Sequence, residues 1–184
     1  MRPTHPRICI YCGSRTGADP VYEETARALG TALAQRSIGL VYGGGRVGMM
    51  GTLADAALKA GGEVIGVIPR ALCEHELAHD GLSELIVVDD MPQRKAQLVA
   101  RAQALVALPG GYGTLEELAE ALSWTQLDLH AKPIFLLNID GYFDALLDFF
   151  DRAVATDFLR SEHRFLVQVA QQIDELLAAL APHI

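Results

Sequence analysis

Short, uninterrupted aliphatic runs alternate with helical patterns along this chain, and that alternation constrains its fold more than any other feature. Strands are predicted at residues 8–12, 40–42, 64–68, 85–88, 104–108 and 133–137. Strands that are apolar throughout and separated by helices are typical of a parallel sheet covered on both faces. The sequence therefore predicts a single α/β domain, residues 1–184, with a Rossmann-like, doubly wound and mostly parallel sheet.

Helices are predicted in the intervals, at residues 22–35, 49–60, 92–101, 115–127, 143–155 and 173–180. The fourth of these shows the apolar spacing i, i+3, i+4, i+7 of a helix that buries one face. The third has Pro92 in its first turn, where proline is well tolerated. In a sheet of this kind ligands bind beyond the carboxyl ends of the strands, so functional residues are expected directly after the strands.

Charge and hydropathy exclude several classes of partner. The 184 residues carry 15 Lys and Arg against 23 Asp and Glu, which gives a net charge of −8. An acidic chain lacks the basic surface that binds nucleic acid or an anionic membrane. The sequence has no run of 18 apolar residues, and its first apolar run is too short for the core of a signal peptide. A cytoplasmic protein is therefore expected, with no nucleic-acid and no membrane partner.

The three cysteines predict neither a disulfide framework nor a metal site. Cys9 and Cys12 form a C-x-x-C pair, but this pair does not open a helix as a redox motif does. A structural zinc site needs four ligands, and the sequence has no second C-x-x-C. Cys9 is therefore predicted as a core residue of the first strand, and Cys12 as the residue at its end.

Glycine-rich turns follow three of the predicted strands, at residues 12–14, 43–51 and 109–114. Glycine lets the backbone approach a ligand closely, and the free N–H groups at the start of the next helix attract an anion. Three such turns at one edge of a sheet predict a ligand that carries a phosphate. The candidate phosphate contacts are Ser14, Gly44, Gly45 and Gly110.

Two familiar motifs match only in part. Residues 43–48 fit G-x-G-x-x-G, but the dinucleotide fingerprint follows the first strand and has an acidic residue about 20 residues further on. No Lys-Ser or Lys-Thr follows these glycines, which excludes a Walker A loop. Residues 75–79 read H-E-x-x-H, but Pro69 and Gly81 leave room for only a short helix, and the sequence supplies no third ligand. We therefore predict no metal site.

The segment 109–117, Pro-Gly-Gly-Tyr-Gly-Thr-Leu-Glu-Glu, is the richest in chemical groups. One interpretation is a capping box, in which Thr114 caps the helix and Glu117 reaches back to the cap. The other is an anion site with carboxylates beside the ligand. Arg94 and Lys95, in the first turn of the preceding helix, favour the second interpretation. Cations are disfavoured at a helix N-terminus, and a bound anion would explain them.

These motifs resemble the LOG ("Lonely Guy") family of cytokinin riboside 5′-monophosphate phosphoribohydrolases, often labelled lysine decarboxylase-like. The resemblance rests on G-G-G-x-x-G-M-M-G at 43–51, M-x-x-R-K at 91–95 and P-G-G-x-G-T-x-x-E at 109–117. It covers residues 8–158. It implies hydrolysis of the N-glycosidic bond of a nucleoside 5′-monophosphate, with release of an adenine-type base and ribose 5-phosphate. It also implies a homodimer.

The resemblance assigns residues as well. Arg94 and Glu117 match the catalytic pair. The implied substrate-binding residues are Glu76, Arg94, Lys95, Gly111, Tyr112, Gly113, Thr114, Leu115, Glu116, Glu117 and Ser123. Two positions depart from the common family pattern: Pro92 stands where many members have His, and Ser123 where they have Thr. Ser123 keeps the hydroxyl group, so the same chemistry is expected, although the base preference could differ.

The chemistry of the residues agrees with this reaction. Cleavage of a ribosyl C–N bond develops oxocarbenium character at the anomeric carbon, and a carboxylate can stabilise that cation and position the water. Glu117 is the candidate for this role, with Glu116 as an accessory, since neighbours on a helix point about 100° apart. Arg94, assisted by Lys95, would hold the phosphate or the ribose hydroxyls and aid departure of the base. No metal or organic cofactor is needed.

Alternative functions stay open at this point. One is a broader nucleoside 5′-monophosphate nucleosidase, and another is a non-catalytic nucleotide or cofactor carrier on the same fold. A carrier would not need Arg94 together with Glu117. A pyridoxal phosphate enzyme needs a Schiff-base lysine, and only Lys95 of the three lysines lies near the predicted site. The apolar helix 143–155 is the candidate interface of a homodimer.

Overall fold

A seven-stranded sheet forms the centre of the molecule. The computed structural model describes residues 5–73 and 78–184. The strands lie in the order β4-β3-β2-β1-β5-β6-β7, and each neighbouring pair is parallel. This confirms the predicted Rossmann-like α/β sheet, which is parallel throughout. The strands are β1 (Arg7–Tyr11), β2 (Gly39–Tyr42), β3 (Val64–Pro69), β4 (Glu84–Val88), β5 (Ala104–Ala107), β6 (Ile134–Leu137) and β7 (Val167–Ala170).

Helices cover both faces of this sheet. They are α1 (Pro20–Gln35), α2 (Gly48–Lys59), α3 (Met91–Ala100), α4 (Tyr112–Gln126), α5 (Asp144–Ala155), α6 (Ser161–Arg164) and α7 (Ile173–Leu180). Short 3₁₀ turns lie at Arg70–Leu72, Ile139–Gly141 and Ala181–His183. Side chains from α1, α2 and α7 form the core on one face, and side chains from α3, α4 and α5 form the core on the other. Among the described residues, no helix is long and apolar enough to cross a membrane.

The sequence patterns missed two elements, β7 and α6. β7 is a four-residue strand at the edge of the sheet, and its Gln168 is exposed to solvent. α6 has only four residues and no buried side chain. An edge strand and a single helical turn each bury too little apolar surface to leave a clear periodicity in the sequence.

The strand order reverses between β1 and β5, and this switch point opens a crevice at the carboxyl end of the sheet. The loops that follow the two strands meet there, because Gly13 donates its backbone N–H to the carbonyl of Pro109 at 3.1 Å. The fold therefore places the residues after β1 beside the start of α4, although about 100 residues of chain separate them.

The start of α4 differs from the predicted capping box. The helix begins at Tyr112, its N-cap residue is Gly111, and no side chain caps it. Thr114 and Glu117 both lie inside the helix and are buried, so the capping box, one of the two interpretations left open by the sequence, is not formed. By contrast, Asp90 caps α3 by accepting the N–H of Gln93 at 2.8 Å. The first amide groups of α4 are thus left without a side-chain cap at the crevice.

Candidate active site

A cavity of about 160 Å³ occupies the crevice between β1, α3 and α4. Arg94 and Glu117 both line it, and both are buried, with 6 % and 9 % of their surface exposed. Burial of two opposite charges is costly unless other groups compensate them, so such an arrangement is typical of a functional site. The remaining lining residues are Ile10, Tyr11, Cys12, Gly13, Ser14, Gly43, Met50, Met91, Gly111, Tyr112, Gly113 and Thr114.

Arg94 is held by the turn that follows β2. Its Nη2 atom donates to the carbonyl of Gly43 at 3.2 Å, and its Nη1 atom lies 3.7 Å from the sulfur of Met91. A Cβ atom at residue 43 would overlap Nη2 of Arg94. Glycine at this position therefore leaves the space that the guanidinium group occupies.

Glu117 rather than Glu116 belongs to the cavity. Glu117 is buried on the same side of α4 as Thr114, whereas the side chain of Glu116 is half exposed. Adjacent helical residues point about 100° apart, so only one of the two carboxylates can face the crevice. The structure thus separates two residues that the sequence could not distinguish.

The charges of Glu117 and Arg94 both act on the thiol of Cys12. Burial raises the pKa of Cys12 first, the carboxylate of Glu117 raises it further, and the guanidinium of Arg94 opposes them. Burial and the neighbouring carboxylate thus favour the neutral thiol of Cys12 in the wall of the cavity. Both Cys9 and Cys12 are free and buried, as predicted for strand and strand-end residues.

The N-terminus of α4 supplies amide groups to the same cavity. Gly111 and Gly113 have no heavy atom of another residue near the place where a Cβ would lie, so open space surrounds them. Tyr112 between them is 93 % exposed. Gly110 differs, because a Cβ there would overlap the hydroxyl group of Thr114. These amides and the positive end of the helix dipole can hold an anion.

A second cavity of about 260 Å³ adjoins the first and shares Gly13, Ser14 and Gly111 with it. Arg15 also lines this second cavity and forms no hydrogen bond or ion pair with any described residue. Tyr142 closes the far side, where its hydroxyl group donates to the carbonyl of Gly110 at 2.6 Å. Sequence reasoning missed Arg15, although its place one residue after Ser14 in the first glycine turn was a usable signal.

Several predicted site residues lie elsewhere. Leu115 and Glu116 are exposed on α4 and do not line the cavity, and Lys95 does not line it either. Ser123 lies about three turns after the start of α4, where it lines an apolar groove of about 340 Å³ between α4, α5 and α6. Glu76 falls outside the described residues.

The second glycine turn is used mainly for packing. Gly44 has a φ of +81°, and a Cβ there would contact Ile68 of β3 at 3.2 Å. Its carbonyl accepts the N–H of His79 at 2.9 Å, and Gly45 forms an isolated bridge with Ala78. Neither Gly44 nor Gly45 lines the cavity, whereas Ser14 lines both cavities and Gly110 lines the second.

The expected role of the cations at the start of α3 also changes. Arg94 and Lys95 lie in the second turn of the helix, which begins at Met91. Lys95 donates to the carboxylates of Glu116 and Glu120. Two protein carboxylates therefore balance the charge of Lys95.

His79 and Glu63, the residues considered for a zinc site and a dinucleotide site, are bonded to other protein residues. Nε2 of His79 lies 2.9 Å from a carboxylate oxygen of Asp55, and Nδ1 accepts the N–H of Gly81, so neither ring nitrogen is available to a metal. Across the residues that the structure describes, no group of three His, Cys, Asp or Glu side chains could hold a metal ion. Glu63, the acidic residue considered for a dinucleotide fingerprint, pairs with Arg7 at 2.7 Å.

None of the three lysines is placed as a Schiff-base residue. Lys95 is engaged by two carboxylates, and Lys59 is exposed at the end of α2. Lys132 donates to the carbonyls of Val99, at 2.5 Å, and of Ala102. No lysine lines the cavity that contains Arg94 and Glu117.

Fold and cavity together define an α/β protein with buried Arg94 and Glu117 beside a helix start without a side-chain cap, at the switch point of its sheet. A family model described as "Possible lysine decarboxylase" matches residues 50–180. The cytokinin riboside 5′-monophosphate phosphoribohydrolase LOG7 of Arabidopsis thaliana is 47 % identical over 174 residues, which cover 95 % of this chain and 80 % of that protein. LOG1 of the same plant, with the same activity in its name, is 44 % identical over 97 % of this chain and 84 % of its own. The chain belongs to this LOG family.

Solved structures with the same architecture include a molybdenum cofactor carrier protein. The carrier protein MCP from Chlamydomonas reinhardtii has a TM-score of 0.73 and is 25 % identical, with 97 % of each chain covered. The molybdenum cofactor binding protein from Rippkaea orientalis has a TM-score of 0.72 and covers 98 % of each chain at 24 % identity. The latter likeness shows the fold alone.

Proposed function

We propose that this protein hydrolyses the N-glycosidic bond of nucleoside 5′-monophosphates, cytokinin riboside 5′-monophosphates among them, and releases the free base and ribose 5-phosphate. The observation that carries the proposal is the buried pair of Arg94 and Glu117 in one cavity at the switch point. The LOG relatives, named for this activity, match nearly the whole chain, and the motif that contains Glu117 lies within the matched region.

Glu117 acts on the anomeric carbon and on the attacking water. As the C–N bond breaks, positive charge develops on the ribosyl group, and a carboxylate in a cavity shielded from solvent stabilises that charge strongly. Glu117 also accepts a proton from water, whose oxygen bonds to the anomeric carbon. The base leaves with the electron pair of the broken bond and takes up one proton, so the sum is the addition of one water molecule.

Arg94 binds the departing base or the ribose hydroxyl groups. Its guanidinium group is fixed by the carbonyl of Gly43 and faces the same cavity as Glu117. A cation that donates hydrogen bonds to the base stabilises the electron pair that the base receives. A carrier protein has no use for a buried carboxylate beside that cation, because the carboxylate repels a phosphate-bearing ligand.

The 5′-phosphate binds at the start of α4. Gly111, Gly113 and Thr114, whose amides lie at the N-terminus of this helix, line the cavity together with Ser14, whose side chain offers a hydroxyl group. Arg15, in the adjoining cavity, supplies a positive charge. Arg15→Ala is therefore expected to raise KM for the nucleotide while kcat changes little, in steady-state assays of base release.

The apolar face of α5 supports a homodimer. The α5 side chains that pack against the core are only partly buried in the single chain, and Phe149 is 62 % exposed. Phe158 and Phe165, which follow α5, are 91 % and 79 % exposed. Exposed aromatic side chains in one region mark protein interfaces. We place this dimer in the cytoplasm, where the three thiols of each chain would stay reduced. We assign it no metal, no organic cofactor, and no nucleic-acid or membrane partner.

A product assay tests the proposed reaction. The protein is incubated with AMP and, separately, with isopentenyladenosine 5′-monophosphate, and free base is resolved by chromatography. Base release is expected from at least one substrate, and the ratio of the two rates gives the base preference. Glu117→Gln is expected to lower kcat by about 10²–10⁴-fold, the usual contribution of an acid–base group.

Two controls make the assay decisive. Arg94→Ala is expected to lose activity as well, while Glu24→Gln, the same chemical change on an exposed residue of α1, is expected to keep it. If the wild type releases no base but AMP raises its melting temperature, the protein is a nucleotide-binding or carrier protein and the hydrolase proposal is wrong.

A further inference from the structure

Lys95, Glu116 and Glu120 form a cluster of ion pairs that joins α3 to α4 beside the cavity, and we call it the α3–α4 bridge. The Nζ atom of Lys95 donates to the carboxylate of Glu116 and, at 2.7 Å, to that of Glu120. The side chain of Lys95 is only 12 % exposed, and that of Glu120 is 27 % exposed. This is less exposed than the ion pair of Glu23 and Arg27 on α1, where the side chains are 39 % and 59 % exposed.

The ammonium group of Lys95 is committed to these carboxylates. Burial alone would lower the pKa of Lys95, but its hydrogen bonds with Glu116 and Glu120 outweigh burial and raise the pKa. The side chain does not line the cavity that contains Glu117. Lys95 is therefore placed to hold α3 against α4.

The bridge lies next to both members of the proposed catalytic pair. Lys95 follows Arg94 directly on α3, and Glu120 lies one turn after Glu117 on α4. Residues three apart on a helix are neighbours on its surface, so a contact that fixes Glu120 also fixes the turn that carries Glu117. The guanidinium and the carboxylate come from different helices, and their separation depends on how those helices are held together.

We infer that Lys95 and Glu120 are positioning residues, which set the placement of Arg94 relative to Glu117 across the cavity. This inference rests on the proposed function and concerns the same site. Catalysis requires the reacting groups to be in place before the barrier is crossed, and a misplacement of about 1 Å can cost about 10²-fold in rate. The bridge therefore acts on kcat, whereas a substrate ligand acts on KM.

Glu120→Gln is the central variant, because Glu120 is outside the cavity and keeps its size when the charge is removed. We expect kcat for base release to fall about tenfold or more while KM stays the same, within the range that misplaced groups produce. Lys95→Met is expected to lower kcat by at least as much. The double variant is expected to be no worse than Lys95→Met alone, since residues that act through one contact are not additive.

The matched control removes an ion pair that lies away from the site. Glu23→Gln breaks the pair with Arg27 on α1 and is expected to leave kcat and KM unchanged. If Lys95→Met raises KM without lowering kcat, and Glu120→Gln changes neither, then Lys95 is a direct substrate ligand and the inference is overturned. Additive losses in the double variant would overturn it as well.

A second readout does not depend on activity. The Nε–H group of Arg94 is assigned in ¹H–¹⁵N NMR spectra of the wild type by comparison with Arg94→Lys. Its signal is expected to shift in Lys95→Met and in Glu120→Gln but not in Glu23→Gln. If the wild type releases no base, the proposed function fails while this spectrum still decides whether the bridge positions Arg94. An unmoved signal in both variants would refute the positioning role.

Discussion

The two longer glycine-rich turns of this chain look alike in sequence and serve different purposes in the structure. In the turn after β2, residues 43–51, the glycines are pressed against other protein atoms. A Cβ would overlap Arg94 at residue 43, the backbone of Ser14 at residue 48 and the backbone of Arg46 at residue 51. In the turn after β5, Gly110 is packed against Thr114, but no atom of another residue lies within 4 Å of a Cβ position at Gly111 or Gly113. A glycine that is needed for packing is thus distinguished from one that leaves room for a ligand only by its surroundings.

The comparison explains how one site is assembled from both turns. The turn at residues 43–51, which we call the packed turn, supplies the space and the carbonyl group that hold Arg94. The turn at residues 109–114 leads into α4, which carries Glu117 and the amide groups at its start. Gly48, with a φ of +64°, lets the same packed turn lie against the backbone of Ser14 and Arg15. Substitutions in the turn at residues 43–51 should therefore disturb the placement of Arg94 and the stability of the fold. Substitutions in the turn at residues 109–114 should disturb ligand binding.

Among the glycine substitutions, the largest effect is expected from Gly43→Ala. The new methyl group would displace the tip of the Arg94 side chain, which is flexible enough to move without unfolding the protein. We expect kcat to fall by about 10²-fold, as for a misplaced catalytic group. Steady-state kinetics and a melting curve measure the two properties separately. A normal kcat would show that the carbonyl of Gly43 does not hold Arg94 for catalysis.

Gly48→Ala is expected to act on stability instead. Its methyl group would overlap backbone atoms of Ser14 and Arg15, which cannot move aside, and its φ is in the left-handed region. Overpacking and the strained backbone together are expected to cost about 2–4 kcal/mol of unfolding free energy. Denaturant unfolding followed by circular dichroism measures this cost. Stability equal to that of the wild type would contradict the packing role of this turn.

Gly113→Ala is expected to change binding without harming the fold. Its Cβ would point into open space, and alanine favours the helix by about 0.5–1 kcal/mol, so the melting temperature should rise slightly. If the phosphate lies against this amide, KM for AMP should rise several-fold. Unchanged KM together with unchanged inhibition by ribose 5-phosphate would place the phosphate elsewhere.

The smallest effect is expected from Gly61→Ala, which serves as the matched control for Gly48→Ala. Gly61 also has a positive φ, +80°, but no atom lies near its Cβ position, and it follows α2 far from the cavity. Only the backbone strain remains, about 1–2 kcal/mol, and activity should be unchanged. A loss as large as that of Gly48→Ala would show that the positive φ, and not the close packing, explains both.

The alternating pattern predicted six of the seven strands and most helix ends to within a few residues, because buried strands and amphipathic helices leave their periods in the sequence. It predicted α7 at Ile173–Leu180, as the structure has it. It missed β7, which is short and half exposed at the sheet edge. It left a capping box at Thr114 open as one interpretation, since the same residue types can cap a helix or stand inside its first turn.

The candidate site was predicted less completely than the fold. Arg94 and Glu117 were named from their motifs and lie in one cavity. Lys95 was expected to assist Arg94 in holding the phosphate or the ribose hydroxyl groups, and the structure pairs it with Glu116 and Glu120. Arg15 was missed, and Ser123 lies in the groove between α4, α5 and α6. A motif gives the residue type and the spacing along the chain, but the direction of each side chain depends on the helix that carries it.

The sequence by itself determined the parallel α/β sheet, the edge at which the functional residues lie and the chemical groups available there. Local periodicity and strand order along the chain carry that information, since each element buries its own apolar face. The tertiary structure alone decided that Glu117 and not Glu116 faces the cavity, and that Gly43 makes room for Arg94. Those outcomes depend on contacts between residues about 50 positions or more apart, which only the packing of β1, β2, α3 and α4 brings together.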